Sequence, residues 1–295
     1  MESLDSIAVI AATLRGHHTR SWKLSDISDK LLRILANKSF PTVIYEHAAV
    51  FCRSRICREN TGYDNLRDLI YPPKPSTSFG RASLPNRHVF YGSLNKGTAM
   101  EEIDVATGML VQSIMFRPKE GHRIALLAIG EAQAVAANGR SRVCGEQFAR
   151  DMDLMMNNDR DKFQEFLYAD SFLAEMFSRP TAKDYEYAVS ASAAEIIYQG
   201  SHIGLLFPSV RRHQGWNVAM TREYFDEHCE VVAVSEERVR KVYEYGIYDP
   251  EIVRVATHFD PDGRIAWEKF QEFHSDWSIQ DGVQLPEHLK GWSPC

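Results

Sequence analysis

Apolar and polar positions change rhythm several times along the chain. Over residues 1–40 the rhythm is helical. Leu31, Leu32, Ile34 and Leu35 lie on one helix, Lys30 and Arg33 fall toward water, and Asp26 or Ser28 stands where an N-cap belongs. Pro41 ends that unit. Residues 42–57 read as extended, with Val43, Tyr45, Val50, Phe51 and Ile56 as β-formers and Arg53 alternating with Arg55. Pro72, Pro73 and Pro75 exclude a regular element over residues 71–78 and predict a rigid loop. A compact strand–turn–helix follows: a strand over 87–91, a turn over 92–97 and a helix over 98–105. Thr98 is the expected N-cap, and Glu101 three residues on completes a capping box. Residues 109–116 and 123–129 read as two more strands.

From 146 to 200 the apolar spacing is helical again: Phe148, Met152 and Met155, then Phe163, Phe166 and Leu167, then Val189, Ala193 and Ile196. Pro180 divides this stretch, which reads as a helical insertion or lid. Met152, Met155 and Met156 read as helix packing rather than a metal site. Strands return over 203–207, 216–220 and 230–234. A C-terminal hairpin is predicted over 252–267, turning at Asp260-Pro261-Asp262-Gly263. The order is strand-rich, helical, strand-rich, which makes the fold class α+β rather than a regular βαβ alternation.

Composition narrows the function classes. The 295 residues are 44% hydrophobic and 25% charged, an ordinary globular balance. With 34 Lys and Arg against 40 Asp and Glu the net charge is −6, so nothing drives the chain toward nucleic acid or an anionic membrane. Cys52, Cys57, Cys144, Cys229 and Cys295 are scattered with no CxxC, which fits reduced thiols and excludes a zinc ribbon. The apolar run at 7–14 has no preceding Lys or Arg and makes a poor signal peptide. No run approaches the ~18 apolar residues of a membrane span, so the expected setting is the cytoplasm. There is no GxGxxG, no Walker A loop and no HExxH. Residues 258–269 have a calcium-loop flavour, but His258 and Lys269 stand at the first and twelfth ligand positions, and the hairpin reading prevails. His17-His18 reads as solvated. No metal is expected.

Four residues carry a chemical signal. Arg81 follows the proline loop in Phe79-Gly80-Arg81-Ala82-Ser83. Tyr91 ends a strand in Val89-Phe90-Tyr91-Gly92-Ser93. Glu102 lies on the helix in Thr98-Ala99-Met100-Glu101-Glu102, and Ser209 follows a strand in Phe207-Pro208-Ser209-Val210-Arg211. Taken singly, these read as a surface cation, a core edge, a solvated carboxylate and a turn residue.

Taken in order, they resemble the RES family, named for its Arg, Glu and Ser. The family pattern is an Arg, a Gly/Pro-containing turn, a strand ending in Tyr, an Ala-x-x-Glu helix and a later strand ending in Pro-Ser. Arg81, Leu84-Pro85, Tyr91, Ala99 with Glu102, and Pro208-Ser209 match it in turn. Phe51-Cys52-Arg53-Ser54-Arg55 resembles the family's opening strand and Trp216-Asn217-Val218-Ala219 the strand after the serine, over a match of roughly 48–245. The stretch between Glu102 and Ser209 is longer than the family's usual one. The first ~45 residues have no counterpart in the minimal domain.

The resemblance implies a fold like that of ADP-ribosyltransferases, with twisted mixed or antiparallel sheets. It implies a helical N-terminal extension over 1–45 and a catalytic domain over 46–295. It also implies an enzyme that consumes NAD⁺ as substrate without a resident cofactor, typically a toxin paired with an antitoxin. Operator binding, if any, would fall to that partner; a homo-oligomer is left open. In this reading Arg81 binds the pyrophosphate through its bidentate guanidinium. Glu102 holds ribose hydroxyls and stabilises the ribosyl cation. Tyr91 stacks on the nicotinamide or bonds a phosphate, Ser209 bonds ribose or carboxamide, and Arg53 and Asn217 contribute to substrate binding. A nucleophilic Ser209 is not supported, because His213 alone makes no Ser-His-Asp arrangement. Arg211 and Arg212 suit a phosphate acceptor. Transfer to a macromolecule and a non-catalytic interaction module remain open alternatives.

Overall fold

A computed structural model describes residues 3–16, 23–57, 61–71, 78–180, 184–201 and 203–269. Its elements run α1 (Leu4–Arg15), α2 (Leu24–Leu35), β1 (Thr42–Tyr45), β2 (Phe51–Ile56), α3 (Leu66–Ile70), β3 (Val89–Ser93), α4 (Lys96–Glu102), β4 (Leu110–Pro118), β5 (Ile124–Ala128), α5 (Glu131–Asn138), α6 (Gly145–Asn158), α7 (Arg160–Ser178), α8 (Ala188–Ser201), β6 (Gly204–Pro208), β7 (Trp216–Thr221), α9 (Arg222–His228), β8 (Cys229–Tyr243), β9 (Ile247–Ala256) and β10 (Glu268–Lys269). Among the described residues the fold is α+β around one mixed sheet of ten strands, in the order β1-β5-β6-β7-β3-β2-β4-β8-β9-β10.

Every pairing is antiparallel except β5 with β6, which pair in parallel through Leu126↔Gly204, Leu127↔Leu205 and Ala128↔Leu206. A parallel pair cannot be joined by a tight turn. The helices α5 to α8 lie in the crossover that joins it, and the helical stretch expected over 146–200 falls within that crossover. Helix α7 begins where Asp159 caps Lys162 N–H at 3.1 Å, a break in addition to the one at Pro180.

Side-chain alternation splits the core into two layers. On β6, Leu205 and Phe207 enter one cluster and Leu206 the other; on β7, Ala219 enters the first and Val218 and Met220 the second. The first cluster joins the sheet to α1, α2, α7 and α8 through Ile7, Leu14, Ile27, Leu31, Phe172, Phe177 and Val189. The second lies on the opposite face, where Phe51, Phe90, Phe116 and Phe225 pack ring to ring beside Leu69.

Several local expectations are corrected. Helix α2 starts at Leu24 with Lys23 as N-cap, so Asp26 and Ser28 lie inside it, and Asp26 acts on the first turn by its charge. The extended stretch 42–57 is two strands: β1 at the sheet edge on β5, and β2 in the interior between β3 and β4. Asn95, not Thr98, caps α4. Its side chain accepts from Thr98 N–H at 2.9 Å and from the Thr98 hydroxyl at 3.0 Å, while Glu101 is drawn off to Arg212. Strand β8 runs far past residue 234 because β9 pairs with most of its length. Helix α5 has no side-chain cap of its own. Buried Asp170 of α7 accepts from Gly130 N–H (2.7 Å) and Gln133 N–H (3.1 Å) in its place.

The C-terminal hairpin forms as a Phe259↔Ile265 bridge followed by β10 on β9. The proline loop at 72–77, His17-His18 and Cys295 lie outside the described residues. Cys57, Cys144 and Cys229 are free thiols. Among the described residues no helix is long and apolar enough to cross a membrane, and no three His, Cys, Asp or Glu side chains cluster as metal ligands.

Candidate functional site

The sheet opens between β2 and β3. These neighbours pair at one position, Cys52↔Ser93, and then part. The gap is a cavity of about 760 Å³, with Arg53, Ser54, Arg55 and Ile56 on one wall and Tyr91, Gly92 and Ser93 on the other.

Arg53 bridges the opening. Its Nη1 donates to the Tyr91 carbonyl at 2.5 Å and its Nε to the Leu69 carbonyl at 3.1 Å, above the Phe90 ring. Burial, and then Arg55 beside it, press its pKa down to about 9, so it stays cationic at neutral pH. Arg81 faces it across the cleft. It donates to the carbonyls of Phe177 and Arg179 and to the Tyr187 hydroxyl, and lies 5.0 Å from the Tyr187 ring centre. It therefore caps the C-terminal carbonyls of α7 and ties the helical crossover to the cleft. Among the described residues Arg53 and Arg81 meet carbonyls and a phenol and no carboxylate.

Tyr91 shapes the turn that carries Arg81. Its hydroxyl accepts from Ala82 N–H at 2.9 Å and donates to Ser83 Oγ at 3.2 Å. Burial raises its pKa and keeps the phenol protonated. A Cβ at Gly80 would stand 2.5 Å from Ser83 Oγ and 2.9 Å from the Tyr91 hydroxyl, so a side chain there would have to displace the Ser83 hydroxyl or the phenol.

Glu102 stands where β3 and β7 meet α4. Its Oε1 accepts from Ser209 Oγ at 2.5 Å and from Asn217 Nδ2 at 2.6 Å, and Asn217 in turn accepts from Ser93 Oγ at 2.9 Å. Oε2 carries no hydrogen bond among the described residues. Ser209 does not itself line the cavity; it meets the site through its hydrogen bond to Glu102. Its Oγ also accepts from Arg211 N–H (3.1 Å) and Arg212 N–H (3.0 Å), so its proton goes to the carboxylate and its lone pairs to the loop. In this geometry the hydroxyl is a donor to Glu102 and an acceptor from the loop that follows it. Helix α4 is pinned at its start by Lys96 on buried Glu237, which also accepts from Ser235 at 2.5 Å.

All six expected site residues thus meet at one place, five on the cavity wall and Ser209 behind Glu102. Arg211 also lines the cavity but is held fork-to-fork by Asp104 at 2.7 Å. Arg212 turns away to Glu101 and the Gly246 carbonyl. Tyr63 and Tyr187 line the cavity without having been expected. No local pattern marks either one, since each arrives by tertiary approach. The assembled cleft sets one carboxylate among Arg53, Arg55, Arg81 and Arg211, an arrangement suited to an anion bearing a group that becomes cationic.

A family model of the RES domain matches residues 54–241, which include Arg81, Tyr91, Glu102, Ser209 and Asn217. No curated protein matches the chain.

Proposed function

The chain belongs to the RES domain family, and from that premise we propose that it cleaves the nicotinamide–ribose bond of NAD⁺. The observation that carries the reading is the oriented Glu102 carboxylate, held on one oxygen by Ser209 and Asn217 within an arginine-rich cleft. Arg53 and Arg81 receive the pyrophosphate. An anion there relieves the mutual pressure of Arg53 and Arg55.

The N-glycosidic bond breaks heterolytically. Its electron pair passes to the pyridinium nitrogen, which leaves as neutral nicotinamide, and positive charge develops on the ribose at C1′. The pyridinium is already a good leaving group, so the step asks for charge stabilisation rather than an acid. Glu102 supplies it through the oxygen not engaged by Ser209 and Asn217. Water adds at C1′ and loses a proton to give ADP-ribose, or inorganic phosphate adds to give the ribosyl phosphate. Arg211 on the rim suits the second acceptor, on release from Asp104.

Incubation of the purified chain with NAD⁺, with and without phosphate, and chromatography of the products tests this. The expected result is nicotinamide released in step with NAD⁺ loss, and the partner product names the acceptor. Undiminished NAD⁺ refutes the reading. A toxin-type role adds that induced expression of the parent arrests growth while Glu102→Gln does not.

A further inference from the structure

We propose that Tyr63 is the wall on which the adenine ring of the substrate stacks; the inference rests on the NAD⁺ reading above and adds the orientation of the substrate in the cleft. Tyr63 lines the cavity, and the Arg55 guanidinium lies 5.7 Å from its ring centre. Both residues line the cavity, a cationic and aromatic pair of the kind that accepts a nucleobase face.

The backbone of Tyr63 is held by an uncommon device. Fully buried Gln112 accepts from Tyr63 N–H at 2.7 Å and donates to the Tyr63 carbonyl at 3.1 Å, as a neighbouring strand would. Gln112 also donates to Glu236 at 2.8 Å, and Arg254 grips both oxygens of Glu236 at 2.9 and 2.7 Å under the Trp267 ring. A Cβ on Gly62 would stand 2.1 Å from Glu236 and 2.5 Å from Gln112, so the loop comes this close only because residue 62 is glycine. A buried polar network that fixes one cavity-lining loop residue preorganises a contact.

Position along the cleft selects adenine over nicotinamide. Glu102 reaches Asn217, whose partner across the sheet is Ser93, at the level where β2 and β3 still pair. Tyr63 belongs to the level of Arg55 and Ile56: Gln112 pairs with Arg55, and the Tyr63 hydroxyl reaches toward the Ile56 carbonyl at 3.5 Å. Three to four residues of strand, at roughly 3.3 Å each, separate the two levels by about 10–13 Å. Arg53 lies between them. The scissile bond at Glu102 and the pyrophosphate at Arg53 then leave Tyr63 for the base at the far end.

The test is titration calorimetry with AMP and with nicotinamide mononucleotide on the parent, Tyr63→Phe and Tyr63→Leu, with melting curves as a check on folding. Tyr63→Leu is expected to weaken AMP about 5- to 150-fold, the range of one base–aromatic stack. Tyr63→Phe should stay within about twofold, because the long hydroxyl contact contributes little. Nicotinamide mononucleotide should be unchanged by either, and KM for NAD⁺ should rise in Tyr63→Leu more than kcat falls. A parent that does not bind AMP, a Tyr63→Leu protein that binds it undiminished, or one that loses both nucleotides equally overturns the assignment. AMP binding that depends on Tyr63 in a protein that leaves NAD⁺ intact sinks the cleavage reading and keeps the base wall. NAD⁺ cleavage with no dependence on Tyr63 does the reverse.

Discussion

Replacing Glu102 by glutamine removes one charge and little else. The Ser209 hydroxyl and the Asn217 amide both donate to Oε1, and a glutamine oxygen in the same place accepts both. Hydrogen bonds to a charged acceptor contribute about 1.5–3 kcal/mol each and neutral ones about 0.5–1.5. Two weakened bonds therefore cost on the order of 2 kcal/mol, and relief from desolvating a carboxylate offsets part of that. The remainder, about 1 kcal/mol, moves the melting temperature by roughly 2–4 °C in a domain of this size. The chemical effect is much larger. Loss of one preorganised electrostatic contact to a transition state costs about 10²–10³ in rate. The assay is nicotinamide release under steady-state conditions beside thermal melts of both proteins. A well-folded Glu102→Gln chain that turns NAD⁺ over at the parental rate removes Glu102 from the mechanism. One that melts more than ~10 °C lower means that the carboxylate is chiefly structural.

Arg81→Lys keeps a cation but loses the fork that meets two carbonyls and Tyr187; KM for NAD⁺ should rise more than kcat falls, with about 1–2 kcal/mol lost in denaturant titration as α7 loses its cap. Gly62→Ala drives a methyl into Glu236 and Gln112, and urea unfolding should show a loss of about 2–4 kcal/mol, with retained stability arguing against the close approach. Asp170 gives a pH signature. Burial pushes its pKa up to about 6 in the folded chain, against backbone N–H donors that pull it down. The stability it adds by holding a proton is whole below its unfolded pKa near 4 and is lost as pH rises through about 6. The parent's advantage over Asp170→Asn in urea titrations should shrink over that window, and a constant difference would show that Asp170 titrates normally.

Local pattern determined much of this protein. The helical and extended periods placed most of the strands and the helices of the crossover, because a half-buried strand or helix must repeat its apolar residues at its own period. Arg81, Tyr91, Glu102 and Ser209 were visible as an ordered set only through their resemblance to the RES family pattern, since each by itself reads as an ordinary surface, edge or turn residue. What local pattern did not hold was anything decided by a partner distant in the chain. Asn95 rather than Thr98 caps α4, and Glu101 is paired with Arg212, 111 residues away in sequence. Helix α5 is Ala-rich, with a weak stripe, and is capped by Asp170 from α7. Strand β8 continues through charged residues because β9 pairs with it. The cleft itself exists because β2 and β3 part after one pairing, and its wall at Tyr63 is held by Gln112, 49 residues away in sequence. Periodicity is a property of one segment and its own exposure. The opening of a sheet and the bracketing of a loop are properties of two or more segments at once, and only the folded chain brings those together.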